Sequence, residues 1–306
     1  ITGNGYVMSA VPIQINRSKT MLDCQGARLV PAVTFADDPI RINVQNLGQY
    51  NESQLTDITV QNCVIDDTAQ TGNLLVGSDT RLGRLTAFNV ERLLLSNITI
   101  LNSLGPGIQT RKSSGFVRDV AVYGTRELTG GGDPTGIVLW GSGYGLTLSG
   151  IPIHASGLIV APSSTENVIG RGVQLVVGAI ATNVSVRSAQ GPCVSFGGDA
   201  VQGWSRLSNF DLSDCNLGAT SAQGAIDDGA ALGNPLYDVH ISNGTIRNAS
   251  GDGIRFAAAS SVTRSQIHGI SLECVSLQVA HSSAIKLFGT LEDVSVLGNI
   301  VTLVGC

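Results

Sequence analysis

The sequence predicts an all-β protein whose short parallel strands stack as the coils of a solenoid, a fold called a parallel β-helix. Short segments in which apolar and polar residues alternate recur along the chain, at spacings within the roughly 20–50 residues typical of solenoid repeats. A second set of such segments follows the first at a nearly constant distance. Charged residues make up only 13% of the chain, and there are 38 glycines, which favours a surface of stacked hydroxyl and amide groups. At this repeat length the 306 residues correspond to roughly ten coils.

The first set of segments is clearest in the C-terminal third of the chain. Each segment usually begins with Asp, Asn or Gly and carries two apolar residues two positions apart. The four segments are 209–213, 238–242, 269–273 and 293–297. Aligned on their first apolar residue, they predict one inward-facing column made of Phe210, Val239, Ile270 and Val294.

The second set of segments comprises 224–227, 252–256 and 284–288. The residues predicted to point inward are Ile226, Ile254 and Ile285. Because alternate residues of a strand face opposite sides, Asp227, Arg255 and Lys286 are predicted to form a column on the outer face of three successive coils.

Similar alternation extends the coils toward the N terminus. The segments are 11–15, 21–29, 57–60, 97–100, 107–109, 119–122, 135–139, 183–186 and 193–196. Stretches rich in Gly, Asp, Pro and Gln without a period are expected to be loops; they are 36–53, 66–80 and 124–134. In 143–181 two interpretations stay open, a well-packed double coil or a subunit contact. The whole chain, 1–306, is expected to be a single parallel β-helix domain of a longer protein, because end caps are weakly evident.

The composition of the chain limits the classes of partner that are expected for it. The net charge of −5 disfavours nucleic acid, and no apolar run approaches the ~18 residues of a membrane span, so membrane insertion is not expected. The six cysteines lack metal-site spacing such as Cys-x-x-Cys, and we interpret most of them as buried free thiols. No cofactor and no metal is predicted.

Asp or Asn precedes the first inward apolar residue in many segments. These residues are Asp57, Asn97, Asp119, Asn183, Asn209, Asp238 and Asp293. Such a row suggests catalytic acids, but Asp and Asn also bond neighbouring backbone at turns, and stacked coils repeat the same turn. We therefore interpret this column as structural.

The opening coils resemble a known family. The run 12–18 (Pro-Ile-Gln-Ile-Asn-Arg-Ser) followed by 22–27 (Leu-Asp-Cys-Gln-Gly-Ala) is similar to pectin-lyase-like right-handed parallel β-helices, especially those of phage tailspikes and polysaccharide depolymerases. The resemblance implies a right-handed helix, as the general rule for parallel crossovers also does. It further implies a polysaccharide or oligosaccharide ligand, a homotrimer, and a place on a virion tail or outside the cell. The fold itself hosts many chemistries.

Carboxylates in the second set of segments are the candidate catalytic groups. Asp227, Asp228 and Asp252 supply the acid pair that glycoside hydrolysis requires, one to protonate the leaving oxygen and one to activate water or attack. Asp227-Asp228 resembles the Asp-Asp motif of polygalacturonases, and Ile285-Lys286 part of their Arg-Ile-Lys motif, whereas Asp252 stands where that family has His. The alternative is a solvated ladder of ion pairs without a function.

Other polar and aromatic residues are candidates for substrate binding. Arg255 and Lys286 suit an acidic sugar or a developing enolate. If the first set keeps its alignment, Asp211 and His240 are neighbours on adjacent coils, with Glu273 on the same face. The further candidates are Trp140 and Trp204, because aromatic faces stack on sugar rings. Both tryptophans could equally be core or interface residues.

The sequence supports three functional hypotheses. The first is a carbohydrate-active β-helix, like a tailspike depolymerase that cleaves bacterial surface polysaccharide by carboxylate-assisted glycoside hydrolysis. The second is a non-catalytic fibre or adhesin module that binds glycan. The third is a polysaccharide lyase or epimerase in which Arg255 or Lys286 stabilises charge.

Overall fold

The structure, a computed structural model, confirms an all-β fold of stacked parallel coils. It describes residues 6–8, 12–31, 38–46, 49–50, 53–68, 84–126, 135–141, 152–161, 170–197, 204–217, 223–228, 235–256, 261–275 and 283–302. The strands are β1 (Tyr6–Met8), β2 (Ile13–Ile15), β3 (Thr20–Asp23), β4 (Arg28–Pro31), β5 (Ile40–Ile42), β6 (Val44–Asn46), β7 (Gln49–Tyr50), β8 (Leu55–Asp66), β9 (Leu85–Phe88), β10 (Val90–Leu104), β11 (Ile108–Arg111), β12 (Gly115–Arg126), β13 (Ile137–Leu139), β14 (Ile153–Ala161), β15 (Val173–Leu175), β16 (Ala179–Arg187), β17 (Val194–Phe196), β18 (Ser205–Ser213), β19 (Gly224–Asp228), β20 (Leu236–Tyr237), β21 (Val239–Ala249), β22 (Asp252–Phe256), β23 (Ser261–Thr263), β24 (Gln266–Val275), β25 (Ile285–Leu287), β26 (Thr290–Glu292), β27 (Ser295–Leu297) and β28 (Ile300–Thr302).

Two long parallel sheets run the length of the molecule. Sheet 1 has 13 strands, in the order β1-β4-β8-β10-β12-β14-β16-β18-β21-β24-β27, with β3 and β28 also paired to it. Sheet 2 has 10 strands, in the order β2-β5-β9-β11-β13-β15-β17-β19-β22-β25. Consecutive strands within each sheet come from successive coils. A short parallel sheet, β20-β23-β26, and the antiparallel pair β6–β7 complete the described strands.

The long strands of sheet 1 share a bend at a residue that keeps the same position on successive coils. This residue has a left-handed backbone, with φ between +50° and +66°. Its representatives, which we call the corner column, are Asn62, Asn97, Asp119, Gly157, Asn183, Asn209, Asn243, Gly269 and Gly298. Only Gly, Asn and Asp adopt this conformation routinely. The structural interpretation of the Asp and Asn column is thus supported, since Asp57, Asp238 and Asp293 also have positive φ at other turns.

Inward-facing ladders of aliphatic side chains form the core between the two sheets. In sheet 2, Ile108, Ile137 and Val173 stack on successive coils and are fully buried. Phe196 and Phe256 meet edge to face, with ring centres 6.1 Å apart. The alternation of sheet 2 therefore follows the sequence pattern, and every second residue is directed to the outer face.

The alignment predicted for the second set of segments is confirmed, and that of the first set is wrong. Ile226 pairs with Ile254 and Ile254 with Ile285. In sheet 1, however, Phe210 pairs with Gly244, whereas Val239 pairs with Ser205. A left-handed Asp or Asn opens the first half of some strands and the second half of others, so segments from two different places on the coil looked alike.

Because the alignment of sheet 1 differs from the prediction, the expected contact between Asp211 and His240 is absent. His240 pairs with Arg206 and Gln266 instead of lying beside Asp211.

The stretch 36–53, predicted to be a loop, contains β5, β6 and β7. No helix in the described parts of the chain is long and apolar enough to cross a membrane.

The prediction of free thiols is wrong. Cys24 is bonded to Cys63, and Cys193 to Cys215. Cys274 is disulfide-bonded as well. The four bridged half-cystines of the first two pairs are buried, and each bridge links residues from successive coils. Disulfides persist in oxidising compartments, so these bonds are consistent with an extracellular location.

Candidate functional site

The outer face of sheet 2 carries the predicted polar column. Asp227 pairs with Arg255 and Arg255 with Lys286, so the three side chains follow one another on successive coils as expected. The column differs from the prediction in its exposure. Asp227 is only 9% exposed, and the Arg255 side chain is 27% exposed. The face is therefore enclosed at Asp227 and opens toward the C-terminal coil.

Asp227 and Asp228 form a hydrogen-bonded carboxyl pair. The second oxygen of Asp227, Oδ2, accepts a hydrogen bond of 2.7 Å from the backbone N–H of Gly224. Burial, and then the hydrogen bond to Asp228, raise the pKa of Asp227 to about 8. A hydrogen bond between two carboxyl groups requires a proton on one of them. Asp227 therefore holds a proton at neutral pH, unlike an ordinary aspartate.

Asp252 lies beside this pair but is held differently. It is fully buried, and its Oδ1 accepts a hydrogen bond from the backbone N–H of Ser283. Its Oδ2 is 3.8 Å from Nε of Arg255. This arrangement suits Asp252 to orienting Arg255, whereas the catalytic role that the sequence suggested for it stays a prediction. The Lys286 ammonium lies 5.3 Å from the ring centre of Phe288.

Ser195 completes the site and was not singled out from the sequence. It lies on the preceding coil, where it pairs in register with Asp227, and it is fully buried. Its Oγ has no hydrogen-bond partner within the described residues, so a ligand or water at this place would find a donor. The signal was available, because 193–196 was already predicted to be a strand and its alternation directs Ser195 outward.

The two tryptophans do not join the carboxyl pair. Trp140 is 8% exposed and packs with Val138, Val176 and Val177. The guanidinium carbon of Arg111 lies 5.0 Å from its ring centre. Trp140 therefore offers no open ring face for a sugar. Trp204 directly precedes β18 and is partly exposed, and its carbonyl accepts a hydrogen bond of 2.9 Å from Gly178.

Asp211 and Glu273 lie on sheet 1, not with the sheet 2 column. Oδ1 of Asp211 accepts a hydrogen bond of 2.5 Å from Arg247, and Oδ2 lies 3.9 Å from Arg187. Glu273 accepts a hydrogen bond of 3.1 Å from Ser271 and is paired in register with Arg247. These residues form a mixed-charge patch on a different face of the molecule.

His240 stands apart from both groups. It occupies the first half of β21, between Arg206 and Gln266 of the neighbouring strands. Burial, and then the positive charge of Arg206, lower the pKa of His240. Its imidazole is therefore neutral at physiological pH. With Asp211 absent from its surroundings, the predicted Asp–His pair does not form.

Comparison with solved structures places this chain among parallel β-helix proteins. A surface protein and adhesin of Streptococcus pneumoniae, PfbA, matches with a TM-score of 0.52 and 14% identity over 97% of this chain and 87% of that chain. The catalytic domain of a GH87 alpha-1,3-glucanase in complex with tetrasaccharides matches with a TM-score of 0.47 and 13% identity, over 99% of this chain and 63% of that one. A polygalacturonase from Erwinia carotovora ssp. carotovora matches with a TM-score of 0.43 and 10% identity, over 98% and 85%.

The chain has the parallel β-helix fold. At these identities the likeness concerns the fold alone. No protein-family model matches the sequence, and no curated protein matches it. The chemistry of the site must therefore be argued from its own residues.

Proposed function

We propose that this β-helix acts on polysaccharide as a glycoside hydrolase, with Asp227 as the general acid. The observation that carries the proposal is the hydrogen-bonded carboxyl pair in which the pKa of Asp227 is raised to about 8. A carboxyl group that is still protonated at neutral pH can donate a proton to the leaving oxygen of a glycosidic bond.

The neighbouring residues have supporting roles in this proposal. Asp228 keeps the proton on Asp227 through their hydrogen bond and repulsion. Arg255, whose Nε lies 3.8 Å from Asp252, and Lys286 present positive charge where the face opens, which suits an acidic sugar. Ser195 is fully buried on the other side of Asp227, so its hydroxyl meets a sugar only if the surrounding chain moves.

The substrate class follows from the resemblance of residues 12–18 and 22–27 to polysaccharide-active β-helices. The finer form of the proposal is a tailspike-like depolymerase that cleaves bacterial surface polysaccharide as a homotrimer on a virion tail. Light scattering tests the trimer directly, and a monomer at high concentration would remove that part of the proposal. The disulfides fit any extracellular location.

A non-catalytic glycan-binding module is the second candidate function. The observation that favours it is the burial of Asp227, which is 9% exposed and therefore poorly placed to meet a polymer without movement of its surroundings. A lyase is the third candidate, and it would yield an unsaturated product that absorbs ultraviolet light.

The deciding experiment compares the wild type with Asp227→Asn on a panel of bacterial surface polysaccharides, measuring new reducing ends. We expect the variant to be about 10²–10⁴-fold slower, as for loss of a general acid. Wild-type activity should fall as the pH rises through about 8, because Asp227 then loses its proton. The matched control is Asp57→Asn, an exposed carboxylate paired with Arg92, which should leave turnover unchanged.

The other possible results of this experiment would support a different residue or a different function. Undiminished turnover in Asp227→Asn removes this residue as the acid. Ultraviolet absorption of the product identifies a lyase. Retention of glycan without new reducing ends at any pH identifies a binding module.

A further inference from the structure

A groove follows the corner column along sheet 1, whereas the carboxyl pair of Asp227 and Asp228 lies on sheet 2. It encloses about 1060 Å³ and extends from Asn97 to Ile300. Its lining repeats from coil to coil. One row is the corner column, and the other is the outward residue two positions later, such as Ser185, Asp211 and Thr245. We call this feature the corner groove.

The polar groups of the corner groove are largely available to a ligand. Asn183, Asn209 and Asn243 are exposed. The amides of Asn183 and Asn243 make no hydrogen bond within the described residues, and that of Asn209 reaches Thr182 only at 3.4 Å. The hydroxyls of Ser185 and Thr245 likewise have no partner there. These positions therefore present a double row of unused donors and acceptors.

The spacing of these rows suits a linear polymer. Hydrogen-bonded strands lie about 4.8 Å apart, so the amides of Asn183, Asn209 and Asn243 recur at about this interval on three successive coils. We propose that the corner groove binds an extended, uncharged polysaccharide chain that runs parallel to the helix axis. An interval of this size is close to the length of one sugar unit in an extended chain, so successive units would meet equivalent side chains.

Other linear polymers fit less well. In an extended peptide, residues on the same face recur about every 6.8 Å, which does not match the coil spacing. The backbone groups of the groove are already paired between coils along sheet 1, so a peptide strand finds no free edge. Asp119 in the lining and the net charge of −5 oppose a polyanion such as nucleic acid. Asp211 is neutralised by Arg247 and Arg187.

The inference concerns polysaccharide, as the proposed function does, but a neutral chain where Arg255 and Lys286 suit an acidic one, and it uses none of the same residues. A chain held in the corner groove would be bound and not cleaved, because the groove lacks the protonated carboxyl pair of sheet 2. Loss of one site therefore leaves the other intact, and an experiment can separate them.

The test removes the amides without disturbing the backbone. The triple variant Asn183→Gly, Asn209→Gly, Asn243→Gly keeps the left-handed corners, because Gly already stands in the same column at 157 and 269. Its binding to labelled neutral polysaccharides (an α-glucan, a β-glucan and a galactomannan) and to polygalacturonate is measured by affinity electrophoresis. We expect binding of a neutral polymer at least about tenfold weaker than in the wild type, from three lost hydrogen bonds.

Two control variants make the outcome unambiguous. Asn248→Gly makes the same change at a left-handed residue outside the groove and should bind like the wild type. Asp227→Asn should also bind like the wild type, because its site is elsewhere. If the triple variant is unstable in thermal unfolding, Thr245→Trp blocks the groove with the corners unchanged and should weaken binding similarly.

Three results would overturn the inference. The first is a triple variant and Thr245→Trp that bind as tightly as the wild type. The second is a wild type that binds only polygalacturonate or no polysaccharide at all. The third is binding that Asp227→Asn abolishes and the triple variant retains, which would assign the ligand to sheet 2 and leave the proposed function standing.

Discussion

At the scale of single residues, backbone conformation explains more of this sequence than side-chain chemistry does. The corner column is restricted to Asn, Asp and Gly because any other residue pays for a left-handed backbone through contact between its Cβ and the carbonyl oxygen. A row of aspartates and asparagines therefore marks where the coil bends. Asp227, whose pKa is raised to about 8, lies outside that row.

The requirement for a left-handed residue can be measured at Asn209, whose φ is +51°. We predict that Asn209→Ala lowers the free energy of unfolding by about 1–2 kcal/mol, because Ala tolerates this conformation poorly. Asn209→Gly should change it much less, as Gly adopts positive φ without steric cost. Urea denaturation of both variants checks the difference. Equal stability of the two would mean that the corner does not select for conformation.

At the scale of elements, the strands of sheet 1 are two half-strands joined at a corner, while those of sheet 2 are short and straight. This difference determined which alignment could be predicted. In sheet 2 most short strands carry two inward apolar residues on either side of one outward residue, as Val173 and Leu175 do around Gln174. In sheet 1 the inward position opposite Phe210 is occupied by Gly244, and a glycine gives no hydrophobic signal.

The pairing of Phe210 with Gly244 predicts a coupled substitution. A Cβ added at Gly244 would overlap the ring of Phe210, so Gly244→Ala should lower the free energy of unfolding by about 1–3 kcal/mol through overpacking. Phe210→Leu in the same chain replaces the ring with a smaller side chain and should recover part of the lost stability. The effects of the two changes on the free energy of unfolding are then not additive.

The measurement is a double-mutant cycle by urea denaturation. Thr245→Ala, at the next residue on the outer face, serves as control and should change stability by about 0.5 kcal/mol or less. Strict additivity of Gly244→Ala and Phe210→Leu would contradict the packing of the ring over the glycine.

At the scale of the whole molecule, this solenoid has few charged residues, and several of its ionisable side chains are buried. Asp38 is 2% exposed, and burial raises its pKa to about 8, although Arg84 lies nearby and opposes the shift. Burial likewise raises the pKa of Asp227 to about 8. The carboxylates with lowered pKa, such as Asp57 beside Arg92 and Asp238 beside Arg264, belong to exposed or partly exposed ion pairs.

The raised pKa values predict how stability depends on pH. Between about pH 4 and pH 8 the folded chain keeps protons on Asp38 and Asp227 that the unfolded chain releases. The folded state then binds more protons than the unfolded state, so stability falls as the pH rises through this window and levels off above about 8. Asp57, with a pKa lowered to about 2, loses its contribution only in acid. The lowered pKa of His240 acts in the opposite direction below about pH 6.5, so it offsets part of the fall there.

Urea denaturation at pH 5 and pH 8 tests this dependence. The wild type should be less stable at pH 8, and Asp38→Asn should reduce the difference, because an amide does not titrate and Asp227 alone then contributes. Asp57→Asn should leave the slope between these two pH values unchanged. A wild-type stability that rises from pH 5 to pH 8 would show that other groups dominate the titration.

The sequence by itself determined the solenoid, the alternation of sheet 2 and the column that brings Asp227, Arg255 and Lys286 together. Those features depend on the alternation within each short segment and on the regular spacing between segments, and both can be read from the sequence. The alternation within 193–196 also directs Ser195 to this face, but Ser195 was not singled out from the sequence.

Only the tertiary structure decided the alignment of sheet 1, the disulfide pairs and the burial of Asp227. Asp or Asn marks any left-handed turn, so the same signature opens two different half-strands, and Val239 was placed opposite Phe210 in error. Cys193 and Cys215 meet because successive coils stack, which depends on how many residues each turn takes up. The pKa of Asp227 depends on what surrounds it in space, and a period along the chain carries no information about that enclosure.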